Sequence, residues 1–357
     1  MRVLLLVLLV GCGGDNRGAA HQTTRSEVAA PEPTACPPLE SGVHRGVCFA
    51  HSYQHGGRRG YGSEASRGQL RELRSLGTDW ISLTPFGFVR SLESAEVHML
   101  GPGGPGETDA RMRRAIRDAK QMGMNVLLKP HLWVQGGAWR ADLDPEDGWD
   151  AFFRSYEAFL LAYARMAEEE GVAILAVGTE LRSSAAHEER WRALIAKVRD
   201  VYAGELVYCA NWDAAEHVAW WDAVDYVGVQ FYPSLAETDA ATEDEMRSAI
   251  DGHLRQIETL HRRVSRPVLI TEVGYKSVRG AAIRPYEWTE RMGEVVVDQN
   301  AQARAYHVFF SAVAARPWIR GVYVWKWFTD PDSQEEGPGG FSPRGKEAQA
   351  VLGQAYR

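Results

Sequence analysis

Two glutamates, Glu180 and Glu272, each directly follow a short apolar run, in Val177-Gly178-Thr179-Glu180-Leu181 and Ile270-Thr271-Glu272-Val273-Gly274-Tyr275. A carboxylate ending a buried strand is costly to desolvate unless it faces a polar cleft. Two that face one another can divide the labour of glycosidic cleavage. One is protonated to donate to the leaving oxygen, and the other is ionised to attack the anomeric carbon. The charge of Glu272 would itself help to hold a proton on Glu180. The plainer reading, an Arg or Lys partner at a rim, suits one glutamate well and the matched pair poorly. Other apolar runs also end in polar and aromatic residues: His51, Thr84-Pro85-Phe86, Lys129-Pro130-His131-Leu132-Trp133, Asn211-Trp212, Gln230-Phe231-Tyr232-Pro233 and Trp325-Lys326-Trp327-Phe328. Sugar hydroxyls need donors and acceptors, and their C–H faces pack on aromatic rings. Lys129, His131, Asn211 and Trp212 are therefore candidate substrate ligands, with a purely structural role as the competing reading.

These residues need a scaffold that gathers strand ends at one mouth. Eight short apolar runs, at 46–50, 80–84, 125–129, 173–177, 206–210, 226–231, 268–271 and 321–325, read as strands buried on both faces. Helical stripes lie between them. Leu70, Leu73 and Leu76 form one, and Phe152, Tyr156, Phe159, Tyr163 and Met166 another. Trp191, Leu194, Ile195 and Val198 follow, then Met246, Ile250, Leu254, Ile257 and Leu260, then Tyr306, Phe309, Phe310 and Val313. Strands alternating with helices form parallel βα units with right-handed crossovers. Eight of them in about 300 residues predict a single (β/α)8 TIM barrel, with an open doubly wound sheet as the alternative. In such barrels the active site lies at the C-terminal strand ends.

The two glutamate segments, ending the fourth and seventh strands, resemble clan A of the retaining β-glycosidases and more closely glycoside hydrolase family 113, whose members include β-1,4-mannanases. Lys129-Pro130-His131, Gln230-Phe231-Tyr232-Pro233 and Trp325-Lys326-Trp327 extend the resemblance over residues 43–330. It implies that Glu180 is the general acid/base, Glu272 the nucleophile, and Tyr232 a hydroxyl donor that supports the nucleophile. It also implies that Trp325 is the apolar floor beneath the cleaved sugar; only one of Trp325 and Trp327 can point inward at that depth. The implied substrate is β-1,4-mannan or a mannooligosaccharide, with another β-glycan or a non-catalytic glycan-binding barrel as alternatives. One departure stands out: Thr179 occupies the position before the acid/base where the clan commonly has Asn. That Asn's contact to the substrate 2-hydroxyl is not carried over, and Asn211 is a candidate to replace it.

The rest of the sequence bounds the setting. Lys+Arg 40 against Asp+Glu 47 gives a net charge of −7, which excludes a charge-driven nucleic-acid binder. Hydrophobic content of 45% and charge of 24% are those of a globular chain. Residues 3–10 are unbroken and apolar, too short to span a bilayer but suited to a signal peptide. Leu9-Val10-Gly11-Cys12 resembles a bacterial lipobox, which implies cleavage before Cys12 and lipid on its sulfur. The expected plan is a signal peptide at 1–11, a lipidated tether at 12–42 and a catalytic domain at 43–357. The protein is then extracytoplasmic and lipid-anchored, on the outer membrane if the cell has one. Cys36 and Cys48 could pair, while Cys209 in its apolar run reads as a buried thiol. The glycine-rich 101–106 lacks the Gly-Lys-Ser/Thr of a phosphate loop and reads as flexible. Serine-esterase and zinc-protease motifs are lacking, and no cofactor or metal is expected. Asp330, Asp332, Glu335 and Glu336 could bind calcium but more simply are solvated. Residues 344–357 read as a closing helix.

Overall fold

The computed structural model describes residues 36–99, 106–287 and 295–357, which belong to one unit, Cys36–Arg357. The lipobox, the signal peptide and most of the tether and glycine-rich loop lie outside the described residues. The strands are β1 (His44–Ala50), β2 (Trp80–Leu83), β3 (Phe86–Val89), β4 (His98–Met99), β5 (Asn125–Leu128), β6 (His131–Val134), β7 (Ile174–Thr179), β8 (Glu205–Asn211), β9 (Tyr226–Gln230), β10 (Val268–Val273) and β11 (Ile319–Phe328). The helices are α1 (Glu64–Ser75), α2 (Asp109–Gln121), α3 (Trp149–Glu170), α4 (Glu188–Arg199), α5 (Glu243–Val264), α6 (Gln299–Ala314) and α7 (Glu347–Ala355). Strands β1, β2, β5, β7, β8, β9, β10 and β11 close into a parallel barrel, the predicted (β/α)8 architecture. Each of the eight apolar runs is one of its staves.

Local chemistry fixes the helices where the sequence places them. Thr242 and Glu245 form a reciprocal capping box at the start of α5, which satisfies two otherwise orphaned donors. Gly171, at φ 58°, ends α3 in the left-handed conformation that a glycine takes without a Cβ penalty. The stripes of α3, α4, α5 and α6 are all buried against the barrel. Between β8 and β9 there is no α-helix. Two short 3-10 turns, Ala215–His217 and Trp221–Ala223, make that crossover. Trp220 and Trp221, fully buried, fill the space a helix would take. Trp220 stacks on Trp191 of α4 with ring centroids 4.8 Å apart.

Sequence reasoning missed a second sheet. Past Pro85 and Pro130 the chains of the second and third staves run on above the rim as β3 and β6, which pair in parallel, with β4 on the other side of β3. Proline lacks the N–H that would extend the barrel ladder, so each strand is interrupted there rather than ended. The opposite end of the barrel is plugged by aromatic rings. His44 stacks on Trp80 at 3.9 Å and meets Tyr323 edge-on, its Nδ1 3.1 Å from the Tyr323 hydroxyl. The closing helix is α7, and the Tyr356 hydroxyl beyond it donates to the Gly46 carbonyl at 2.6 Å. Cys36 hydrogen-bonds Gln354 through its amide, whereas Cys48 lies in the barrel interior; both are free, so the suggested pairing does not form. Cys209 is a buried thiol, as expected. Among the described residues no helix is long and apolar enough to cross a membrane.

Candidate active site

Both glutamates stand at irregularities of their strands. The β7–β8 register shifts between Ala176 and Gly178, and the β9–β10 register shifts between Ile270 and Glu272. A bulge adds a residue on one strand and re-aims the side chains beyond it. Glu180 itself sits at φ 55°, a left-handed backbone rarely adopted by a residue with a Cβ. Its amide donates to the Cys209 carbonyl at 2.9 Å, which holds that turn. Gly178 is required by packing: a Cβ there would come within 2.8 Å of the Trp191 ring.

The two carboxylates have different company. Glu272 is 5% exposed. Its Oε2 accepts from the Tyr232 hydroxyl at 2.9 Å, and its Oε1 accepts from the Lys129 ammonium. Glu180 accepts from Asn211 Nδ2 at 3.0 Å on Oε1, and from Trp139 Nε1 at 3.3 Å on Oε2. Arg140 lies 3.3 Å from the same Oε2. Burial pushes the Glu180 carboxyl above the usual range. The Arg140 guanidinium pulls against that, and the charge of Glu272 adds to the rise. Glu272 is thus near enough to act on Glu180 across the mouth. His131 lies between the two groups, with Nε2 3.7 Å from Glu272 Oε1 and Nδ1 3.3 Å from the Arg140 guanidinium. Burial, then the charges of Arg140 and Lys129, push His131 well below the ordinary imidazole range, so it is neutral.

Lys129, His131 and Tyr232 gather around Glu272, Asn211 touches Glu180 and Trp325 lies beside Lys129, with one change of place. Lys129, expected in the cleft as a hydroxyl ligand, is fully enclosed beneath Glu272. Its strand ends under the rim at Pro130, which leaves the side chain inside the barrel rather than over it. Asn211 is buried, with its Oδ1 lacking a hydrogen-bond partner, as does His131 Nε2. Trp212, half-buried, stacks on the exposed Tyr286 with centroids 5.8 Å apart. Trp325 packs with the barrel-interior cluster, 5.8 Å from the Lys129 ammonium. Trp327 is fully buried on the outer side, where its Nε1 donates to Gln69 of α1 at 2.8 Å. Strict alternation would turn both tryptophans the same way, but β1 pairs Cys48 with Trp325 and Phe49 with Trp327, so Lys326 is a bulge that separates them.

Trp139 and Arg140 escaped sequence reasoning. They follow Gly136 and Gly137 in the loop after β6. An Arg next to a Trp behind two glycines was the available signal, but only the fold brings it to Glu180. The acidic loop is held by ion pairs and hydrogen bonds, although Asp332 and Glu335 remain exposed. Asp330 and Asp332 pair with Arg59, at 3.0 and 2.8 Å. Glu335 accepts from the Ser52 hydroxyl, and Glu336 pairs with Lys326. Among the described residues no cluster of three or more His, Cys, Asp or Glu is arranged to hold a metal ion.

A (β/α)8 barrel carrying two facing glutamates at its mouth is the plan of a glycoside hydrolase. The sequence model of Glycoside Hydrolase Family 113 matches residues 50–345, and the chain belongs to that family. It is similar to a solved complex of a family 113 β-1,4-mannanase, with 25% identity and a TM-score of 0.78 over 88% of this chain and 98% of that one. It is also similar to the family 113 β-mannanase of Alicyclobacillus acidocaldarius in complex with ManMIm, with 27% identity and a TM-score of 0.77 over 88% and 97%. A family 5 mannosidase from Rhizomucor miehei, at 12% identity and a TM-score of 0.58 over 88% and 92%, shares the fold. No curated protein matches.

Proposed function

We propose that this glycoside hydrolase is a retaining β-glycosidase of β-1,4-mannan or mannooligosaccharides, with Glu180 as acid/base and Glu272 as nucleophile. The observation that carries the assignment is the unequal setting of the two carboxyls. Burial raises Glu180 and favours its protonated form, while both oxygens of Glu272 are acceptors, one for the Tyr232 hydroxyl and one for the Lys129 ammonium. In the first step a Glu272 oxygen bonds to the anomeric carbon as the glycosidic C–O bond breaks, and Glu180 passes its proton to the leaving oxygen. In the second, Glu180 takes a proton from water, whose oxygen displaces Glu272 and restores the starting configuration.

The substrate follows from the company the chain keeps: the family, and two similar structures that are named as β-mannanases. Mannose carries an axial 2-hydroxyl. Asn211, which donates to Glu180 and whose enclosed Oδ1 has no partner, is the candidate to meet it where Thr179 replaces the clan's Asn. Trp325 would floor the cleaved sugar, and His131 and Trp212 would line it. The same chemistry on another β-glycan is favoured by one fact, that Thr179 departs from the clan pattern. The test is a panel of β-glycans with the first product anomer followed by proton NMR. Mannan cleavage with a β-anomer formed first is the expected result. An α-anomer would end the retaining mechanism, and no cleavage of any glycan would leave a binding barrel. The reading places the enzyme outside the cytoplasm, held to a membrane by lipid on Cys12.

A further inference from the structure

We infer that Lys129 is a positioning residue for the reaction, one that aligns and counterbalances the Glu272 carboxylate from beneath and makes no contact with sugar. The inference rests on the reading of Glu272 as nucleophile. An ammonium has three donors. Those of Lys129 are directed to Glu272 Oε1, to the Thr271 carbonyl at 3.2 Å and to the Cys48 sulfur at 3.8 Å. The residue is fully buried, so no donor is left to reach into the cleft.

The charges around Glu272 single out Lys129 further. From β6 comes His131, held neutral by burial. From β1 and β8 come Cys48 and Cys209, thiols pushed by burial to about 12 and about 11, and therefore uncharged. After β9 comes Tyr232, a neutral phenol, and after β7 Glu180, itself an acid. Lys129 is the cation in contact with Glu272 among these groups, and Glu272 is its anionic partner. Burial alone would depress the ammonium; its contacts with Cys48 and Glu272 more than offset this and raise it. A buried ion pair of this kind is costly to break from either side, because the survivor is left charged in an apolar pocket. As the nucleophile bonds to sugar its negative charge is lost, and Lys129 remains hydrogen-bonded to the Thr271 carbonyl, which keeps the strand end in place.

The test compares pH profiles of kcat/KM for wild type, Lys129→Met, Lys129→Arg and Glu272→Ala on an activated aryl β-mannoside, for which leaving-group protonation matters least. For Lys129→Met, with folding checked by thermal melting, kcat should fall at least about a hundredfold with KM changed far less. Its acid limb should move up by about 1–3 pH units, since an opposite charge at this range favours the ionised carboxylate by that much. Lys129→Arg keeps the cation, so its limb should stay in place while kcat drops. A higher KM with kcat and limb unchanged in either variant would make Lys129 a hydroxyl ligand and overturn the inference. If Lys129→Met does not fold, Lys129→Arg decides by the same split. Activity surviving in Glu272→Ala would instead remove the nucleophile reading, a failure distinct from an unshifted limb beside a dead Glu272→Ala.

Discussion

At Glu180 the rise caused by burial is opposed by Arg140, 3.3 Å from Oε2. An acid must be protonated to work, so activity falls as pH climbs through its ionisation. Removing the guanidinium removes the opposing charge. Arg140→Leu should therefore move the basic limb of the kcat/KM profile to higher pH, and a limb that stays or falls would place Arg140 outside the acid's control. The two carboxyls should also fail differently. In Glu272→Ala, azide can attack from the vacated face, giving an α-glycosyl azide. In Glu180→Ala, azide intercepts the glycosyl-enzyme and gives the β-glycosyl azide, with the greatest loss on substrates that leave poorly. Product configuration by NMR decides, and exchanged outcomes would reverse the roles.

Bulges do at the level of elements what single residues cannot. The one at Lys326 turns Trp325 into the barrel and Trp327 onto α1. Trp325→Ala should lower kcat/KM with a nearly unchanged melting temperature. Trp327→Ala should cost about 3–5 kcal/mol in chemical denaturation, the usual loss for a buried large aromatic. Equal melting temperatures for the two would contradict the placement. Gly178→Ala should destabilise by about 1–3 kcal/mol, because its Cβ has no room beside Trp191. The staves were legible in the sequence because strands buried on both faces are apolar throughout; Glu180 and Glu272 were legible because they punctuate those runs, and Tyr232 through the family resemblance. The β3–β4–β6 sheet was not, since Pro85 and Pro130 look like strand ends when they are interruptions. The β8–β9 crossover was not, since two buried tryptophans replace a helical stripe. The place of Lys129 was hidden for another reason: spacing shows that a side chain lies near a strand end, not whether it rises into the cleft or turns beneath it.

At the scale of the molecule, α7 and its flanking Tyr356 close the end of the barrel away from the site, so chemistry and closure occupy opposite ends of one axis. The proposed anchor is tested at Cys12. Cys12→Ser should abolish lipid labelling and release active enzyme in soluble form, while unchanged membrane fractionation would refute the anchor.

The ring stack on that closed end carries a cost in acid. Burial, with the charge of Arg320, lowers His44 to about 4, so the folded protein takes up this proton far later than the unfolded chain, which binds it near 6.5. A group depressed in this way lends stability above its unfolded value and withdraws it as pH falls toward the folded one. The linkage is worth at most about 3 kcal/mol between pH 6.5 and 4. His131 at the mouth acts with the same sign. Melting temperature should therefore fall across that window, and His44→Phe, which keeps a ring on Trp80 but has no proton to bind, should flatten the decline. A variant that melts with the wild-type slope would clear His44 of the effect. Where the slope does flatten, a residue that never meets substrate sets how acidic a medium the enzyme can work in.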